Sequence, residues 1–380
     1  MKLIHLSDLH LGKRVHEQSM LEDQAYILQE ITAMIEGEHP DGVLIAGDIY
    51  DRPVPPVEAI TLFDGFLVRL SEMGIPVFLI GGNHDSTERI AFGGRLMENS
   101  GVYVSPAYDG AVRSVTLCDQ YGEVDVWLLP FVKPAHVRAT LPEDERETVM
   151  TYTDALRRAI DRMALDVSRR NILLTHQFVA GCHTSDSEEM SVGGTDCVEA
   201  SVFEAFDYVA LGHLHRPQSA GAAHIRYCGT PLKYSFSEVR DQKSVTVVEM
   251  YEKGRVEVRT VPLVPLRDMT EIRGTYDEVT LRNFYEGTTY RTDYLRVILT
   301  DEEDVPDGIG KLRAIYPNLL CLEYDNTRTR TQRTVSDIQD ESATPPLELF
   351  ADLYEMQNNR PMQDEQAAHM AALMEELWGE

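Results

Sequence analysis

The sequence predicts an α/β fold of layered sheets flanked by helices, followed by a small α+β domain and a helical C-terminal tail. Three observations carry this. Up to about residue 260, short β-type runs alternate with amphipathic helical patterns. Five of those runs lead into clusters of aspartate, histidine and asparagine. Near Val261-Pro262-Leu263-Val264-Pro265-Leu266, two closely spaced prolines break the pattern and mark a domain boundary, giving a first domain of residues 1–265. A chain of 380 residues, 43% hydrophobic, also fits more than one domain, because single cores stop growing at roughly 250–300 residues.

Taken in order, the apolar runs from Leu3 to Leu6, Val43 to Ala46, Val77 to Ile80, Ile172 to Thr175 and Val209 to Leu211 read as buried strands. They lead to Asp8, Asp48, Asn83, His176 and His213. Loops at the carboxyl ends of strands in an open α/β sheet meet over a rigid base, so residues far apart in sequence converge there. Leu21 to Ile35, Val57 to Met73 and Asp154 to Val167 space their apolar residues for one buried helical face and should cover the sheet. Runs 113–118, 125–130, 225–228 and 244–250 read as further strands, the last two expected to share a second sheet.

Residues 266–326 alternate β-type patterns with a helical stretch from Ile309 to Ile315 and read as the small α+β domain. The segment 327–344 carries Arg328, Arg330 and Arg333 but almost no large apolar residue, and reads as a linker. Residues 345–380 then read as two helices. Leu347, Phe350, Leu353 and Tyr354 share a face after Pro345 and Pro346, and Asn358, Asn359 and Pro361 end that helix. Ala367, Met370, Ala371, Met374, Leu377 and Trp378 form the second stripe. An adaptable, methionine-rich helical face behind a polar linker suits a groove on another protein.

Seven residues carry the chemistry: Asp8, His10, Asp48, Asn83, His176, His213 and His215. Carboxylate oxygens, imidazole nitrogens and one amide oxygen at a common edge suit two borderline divalent ions, and two such ions suit attack of water on a phosphate ester. In Asp8-Leu9-His10 and His213-Leu214-His215 the pairs are two residues apart, so an extended backbone would point both side chains the same way. Asp48 follows a strand and Gly47, whose freedom allows a sharp turn, and can bridge two ions with its two oxygens. His84 is given a separate catalytic role, that of stabilising the transition state or protonating the leaving oxygen. The Asp51 carboxylate is a candidate to hold His84 in one tautomer, or else an ordinary surface carboxylate. Cys182, His183 and the segment from Thr184 to Thr195 read as a polar loop bordering the cleft, and Glu143 to Glu147 as solvated surface.

The formal net charge of −28 makes the overall field repel polyanions, so a nucleic-acid substrate needs the metals' charge, local cations such as Lys13, Arg14, Arg52 and Arg89, or a basic partner. Five scattered cysteines suggest neither a disulfide framework nor a zinc ribbon, and the first residues are too short an apolar stretch for a signal peptide. No run approaches the roughly 18 apolar residues of a membrane span, so a cytoplasmic protein outside the membrane is expected.

The order Asp-x-His, Gly-Asp-x-x-Asp, Gly-Asn-His-Asp, His, Gly-His-x-His resembles the calcineurin-like metallophosphoesterase superfamily over about residues 1–260. Further words, Thr184-Ser-Asp-Ser-Glu188, Val192-Gly-Gly194, Val209 to Gln218 and Tyr234-Ser-Phe-Ser-Glu238, are similar to the SbcD family of bacterial nuclease subunits. The resemblance implies a four-layer α/β/β/α sandwich, a capping domain, and two manganese ions. Asp8, His10, Asp48 and His215 would hold one ion, and Asp48, Asn83, His176 and His213 the other. It implies that His84 assists the leaving 3′ oxygen. It also implies a homodimer formed through the nuclease domain, and C-terminal helices that bind an SbcC-like ATPase. The substrate would be DNA, cleaved as a double-strand exonuclease and a single-strand or hairpin endonuclease in repair and recombination. Glu189 stands where these sequences often carry arginine. A small-molecule phosphodiesterase on the same scaffold, and a scaffold without catalysis, are the alternatives.

Overall fold

A computed structural model describes residues 1–188, 196–329 and 361–378, together with Leu347, Phe350, Ala351, Leu353 and Tyr354. The Gly193-Gly194 stretch with Glu189, most of the expected linker, and much of the first tail helix with Pro345, Pro346, Asn358 and Asn359 lie outside the described residues. The chain divides into two compact units, Met1–Asp268 and Met269–Glu380.

Two six-stranded sheets build the first unit. In the first sheet, Lys2–Leu6, Gly42–Ala46, Val77–Ile80 and Val102–Val104 run parallel, and Ser244–Met250 and Val256–Pro262 close one side antiparallel. The second is ordered Gln218–Ala220, Ala222–Tyr227, Tyr208–Gly212, Arg170–His176, Gly122–Leu128, Arg113–Asp119, with its four central strands parallel. Strands buried on both faces read as continuous apolar runs, which is why GVLIA and YVALG are so uniform. Leu3, Leu44, Phe78 and Ile80 of the first sheet meet Val126, Leu128, Ile172, Leu174 and Tyr208 of the second. The other face of the second sheet buries Trp127, Leu173, Val209 and Leu211 against Val137, Ala155, Leu156 and Ala159 of helices Pro134–Ala139 and Tyr152–Asp161. On the first sheet, helices Leu21–Glu38 and Val57–Glu72 pack together and the second lies on Val77–Ile80. The result is a four-layer α/β/β/α sandwich.

Two expectations are corrected. The runs near 225 and 244 do not share a sheet: Ala222–Tyr227 pairs with Tyr208–Gly212 in the second sheet, whereas Ser244–Met250 pairs with Lys2–Leu6 in the first. Both are alternating apolar runs, and only contacts with distant strands decide between them. The helix expected to reach Val167 ends at Asp161. It begins on a capping box between Thr151 and Asp154. Downstream, Asp166 Oδ1 accepts from Ser168 N at 2.9 Å, an Asx turn that competes with helix.

The second unit has three parallel strands, Met269–Gly274, Tyr294–Leu299 and Leu319–Tyr324, over a core of Ile272, Val279, Leu295, Val297, Leu312 and Tyr316. Short helices at Tyr276–Thr280, Arg282–Tyr285 and Gly308–Arg313 fill the connections, and Asp364–Trp378 forms a C-terminal helix. Among the described residues, no helix is long and apolar enough to cross a membrane. All five cysteines are free.

Candidate metal centre

The strands Lys2–Leu6, Gly42–Ala46 and Val77–Ile80 of one sheet and Arg170–His176 and Tyr208–Gly212 of the other deliver their carboxyl ends to one edge of the sandwich. There the loops after Leu6 and Ala46 run side by side: Asp8 N donates to Gly47 O at 3.0 Å, His10 N to Asp48 O at 3.0 Å, and Leu11 N to Ile49 O at 2.9 Å. The extended backbone expected for the Asp8/His10 and His213/His215 pairs is corrected. Asp8, His10, Asp48 and His213 adopt left-handed φ of 53°, 45°, 49° and 106°. Such backbone is sparsely populated for non-glycine residues and survives where surrounding bonds over-determine it. Glycines permit the approach: a Cβ at Gly212 would collide with Ala46 O and lie 2.6 Å from His176 Nδ1, and one at Gly82 would lie 2.5 Å from Asp48 N.

All seven expected ligand residues meet here. Asp8, His10, Asp48, His176, His213 and His215 are buried. His10 Nε2 and His215 Nε2 are 3.0 Å apart, and Asp8 groups with both. His176 Nε2 lies 3.0 Å from Asn83 Oδ1 and 3.2 Å from Asp48 Oδ2; His213 Nδ1 lies 3.0 Å from the same Asn83 oxygen. Asp48 Oδ2 is also 3.7 Å from His10 Nε2, placing this one oxygen between the two groups.

The donor set fits cations. His176 Nδ1 lies 2.8 Å from Ala46 O and must carry the proton it donates there. Nε2 then faces two acceptors, Asp48 Oδ2 and Asn83 Oδ1, an arrangement that positive charge on this side satisfies, whether a proton on Nε2 or, with the ring neutral, a bound cation. His10 Nδ1 is a further buried atom without a hydrogen-bond partner.

Before an ion binds, a proton takes its place: burial works against charge on His176, but Asp48 and Asp8 outweigh it and lift its pKa to about 9, so a cation at Nε2 would displace that proton. Burial also disfavours charge on Asp48, yet His176, His10 and His84 hold its carboxyl well below the usual range. Burial takes His213 down to about 3, with His176 adding to it, and holds His10 well below its ordinary value, so both stay neutral as ligands must.

His84 sits at the open side of the cluster, its backbone N donating to Asp48 Oδ1 at 2.9 Å and its Nε2 4.0 Å from Asp48 Oδ2. The role given to the Asp51 carboxylate is corrected. His84 Nδ1 bonds the backbone carbonyl of Asp51 at 3.0 Å, while the carboxylate takes Lys13 Nζ at 2.8 Å. A main-chain oxygen fixes the tautomer as well as a carboxylate would.

Several contributors were not singled out in the sequence. Asp85 accepts from Gly82 N, Tyr50 N and Ile49 N at 2.9, 3.0 and 3.1 Å, tying the Asp48 and Asn83 loops together. Burial and then Asp48 raise its pKa to about 7. Gln24 Nε2 donates to His10 O at 2.8 Å, and Tyr234 OH to Leu9 O at 2.7 Å, bracing the first loop. Glu188 accepts from His215 N at 2.6 Å. The only sequence signal for Tyr234 and Glu188 was that they fall in words shared beyond the metal motifs. Cys182 and His183 stay outside the centre; His183 exchanges hydrogen bonds with Gln218 at 2.9 and 2.7 Å.

Comparison with known proteins follows the same lines. Residues 1–217 match the calcineurin-like phosphoesterase family, and residues 265–358 match a domain described as the type 5 capsule protein repressor C-terminal domain. The chain is 35% identical over 326 residues to the D subunit of the nuclease SbcCD from Staphylococcus epidermidis, covering 85% of each chain. Among solved structures, the matches include a dimetal phosphatase from Danio rerio, 12% identical, covering 70% of this chain and 99% of that one at a TM-score of 0.38. A phosphoesterase from E. coli is 12% identical, covering 66% and 88% at a TM-score of 0.27. The chain belongs to the calcineurin-like phosphoesterase family and, within it, to the family of SbcCD D subunits.

Proposed function

We propose that the chain is the metal-dependent nuclease subunit of an SbcCD-type complex, hydrolysing DNA phosphodiesters in repair and recombination. The observation that carries the reading is the position of Asp48 Oδ2, 3.2 Å from His176 Nε2 and 3.7 Å from His10 Nε2, between two groups of ligand atoms. Asp8, His10, Asp48 and His215 would hold one ion, and Asp48, Asn83, His176 and His213 the other. Imidazole with carboxylate and a single amide suits divalent ions of borderline character, and the resemblance to the SbcD family points among them to manganese. Held by these residues, two divalent ions would polarise a phosphate and supply a nucleophilic water at neutral pH.

The chain's own residues do the rest. The left-handed loop backbone, locked by the Asp8–Gly47 and His10–Asp48 hydrogen bonds, fixes ligand positions before substrate arrives. His84, its Nδ1–H engaged by the Asp51 carbonyl, holds Nε2 on the open side, where the ring in its imidazolium form would donate to the leaving 3′ oxygen or to a phosphate oxygen. Asp85 holds the loop that bears Asn83 and His84 against the loop of Asp48.

The assembly reading rests on two surfaces. Around a cavity of about 510 Å³ lined by Tyr50, Phe63, Leu67 and Ile90, the side chains of Val54 and Phe92 are 63% and 86% exposed. Apolar residues left this open on the nuclease unit support a homodimer formed there. The helix Asp364–Trp378 with Met370 and Met374 supports docking on the coiled coil of an SbcC-like ATPase. The second unit would then serve as the capping domain, and the complex would work in the cytoplasm. Deleting residues 345–380 should abolish co-purification with the ATPase while leaving manganese-dependent hydrolysis by the nuclease unit intact. Undiminished co-purification would remove the tail from the interface, and preference for nucleotide monoesters over DNA would favour a small-molecule phosphoesterase.

A further inference from the structure

The segment from Ser185 to Glu188 is fastened to the metal centre by side chains that the hydrolytic reading leaves unused. Ser187 Oγ lies 2.5 Å from His215 Nδ1, 2.6 Å from Glu238 Oε1 and 2.9 Å from Ser185 Oγ. Glu238 is completely buried, and Lys243 Nζ, itself buried, is 2.5 Å from its other oxygen and 2.8 Å from His215 O. Asp186 N donates to Ser237 Oγ at 3.0 Å, so the segment is seated on the 235–238 turn at more than one point.

Counting protons fixes the direction of this chain. The Glu238 carboxylate, paired with the Lys243 ammonium, offers only lone pairs, so Ser187 must give its single hydroxyl hydrogen to Oε1. Ser187 Oγ then has only acceptor capacity left, and His215 Nδ1 must bear the hydrogen between them. With Nδ1 protonated, His215 Nε2 carries the lone pair, and it is Nε2 that points at His10 Nε2 in the ligand cluster. In the opposite tautomer, Glu238 Oε1 and Ser187 Oγ would face each other at 2.6 Å without the hydrogen that contact needs.

We infer that Ser187, Glu238 and Lys243 form a positioning relay, His215 Nδ1–H to Ser187 to Glu238, that sets the tautomer and basicity of one metal ligand. The inference rests on the metal-centre reading above and deepens it. The contrast with His176 is informative. There Nδ1 bonds a neutral backbone carbonyl, whereas His215 is linked through a hydroxyl to a buried negative charge. Carboxylate-backed imidazole is the more basic ligand, so the relay strengthens the ion that His215 holds and not its neighbour. None of the three residues touches the reacting atoms.

The test uses the full chain and manganese alone, titrated calorimetrically. Wild-type protein binds two ions. Ser187→Ala weakens one step about 10- to 100-fold, the range for removing a partner behind a ligand, and leaves the other unchanged. Ser187→Thr, which keeps the hydroxyl, restores it. Glu238→Gln weakens the same step in the wild-type background but adds little to Ser187→Ala, because both cut one chain. Nitrogen-15 spectra of histidine-labelled wild-type chain show His215 protonated on Nδ1, a reading that needs no variant to fold. Unchanged affinities in folded Ser187→Ala, additive losses, or an Nε2-protonated His215 would each overturn the relay. A wild-type chain that binds no manganese would overturn the metal-centre reading and the relay with it.

Discussion

Gly212 lies at the seam between the two sheets, its Cα hydrogen facing Ala46 O and the His176 ring. Gly212→Ala forces either the carbonyl that orients His176 or the ring itself to move, the kind of overpacking that costs about 1–3 kcal/mol. The variant should unfold at lower urea concentration and lose manganese at the His176 position; retention of both ions at wild-type affinity would show that the seam can open freely. The seven candidate ligand residues were legible as a cluster because each is a metal-binding type placed close behind an apolar run. The route by which they converge was not. Alternation along an extended strand was expected, and the chain instead turns Asp8, His10, Asp48 and His213 into left-handed backbone. Aspartate and histidine tolerate that conformation, but no short pattern announces it. Asp51 shows the same limit: the residue was picked out, yet its carbonyl and not its carboxylate meets His84.

At the scale of elements, the opposite end of strand Arg170–His176 holds a clamp between the sheets. Buried Arg170 donates to Tyr251 O at 2.8 Å, next to the first sheet's Ser244–Met250, and to Gly122 O at 2.7 Å and Asp119 Oδ2 at 3.1 Å in the second sheet. The Arg170 guanidinium holds the Asp119 carboxyl well below the usual carboxylate range. A carboxyl depressed in the folded state adds stability that is complete above its unfolded pKa of roughly 3.9 and is lost as pH falls through the folded value. Urea unfolding at roughly pH 5 and pH 3 should therefore show Asp119→Asn losing less stability on acidification than wild type; equal losses would mean the pair does not couple to folding. Strand positions were legible from apolar runs, and partners were not. Ala222–Tyr227 and Ser244–Met250 look alike locally, and their separation into two sheets depends on Tyr208–Gly212 and Lys2–Leu6, which reach them from elsewhere in the chain.

For the whole molecule, a net charge of −28 sets a condition on function. DNA must approach against the mean field, so recognition depends on the positive charge concentrated at the metal centre and on whatever a partner contributes. Lys13 pairs with Asp51 at 2.8 Å, and Arg52, more than half exposed, lies 3.8 Å from the other oxygen of the same carboxylate, so one acidic group already faces both cations. The most direct measurement is cleavage of end-labelled linear and hairpin DNA by the purified chain in manganese, with and without an SbcC-like ATPase and ATP, beside His84→Ala. A two-ion nuclease with His84 as proton donor gives manganese-dependent cleavage that the ATPase enhances and that His84→Ala slows about 10²- to 10⁴-fold while still binding two ions. Intact DNA under all these conditions, with rapid hydrolysis of small phosphodiesters by the same protein, would contradict it.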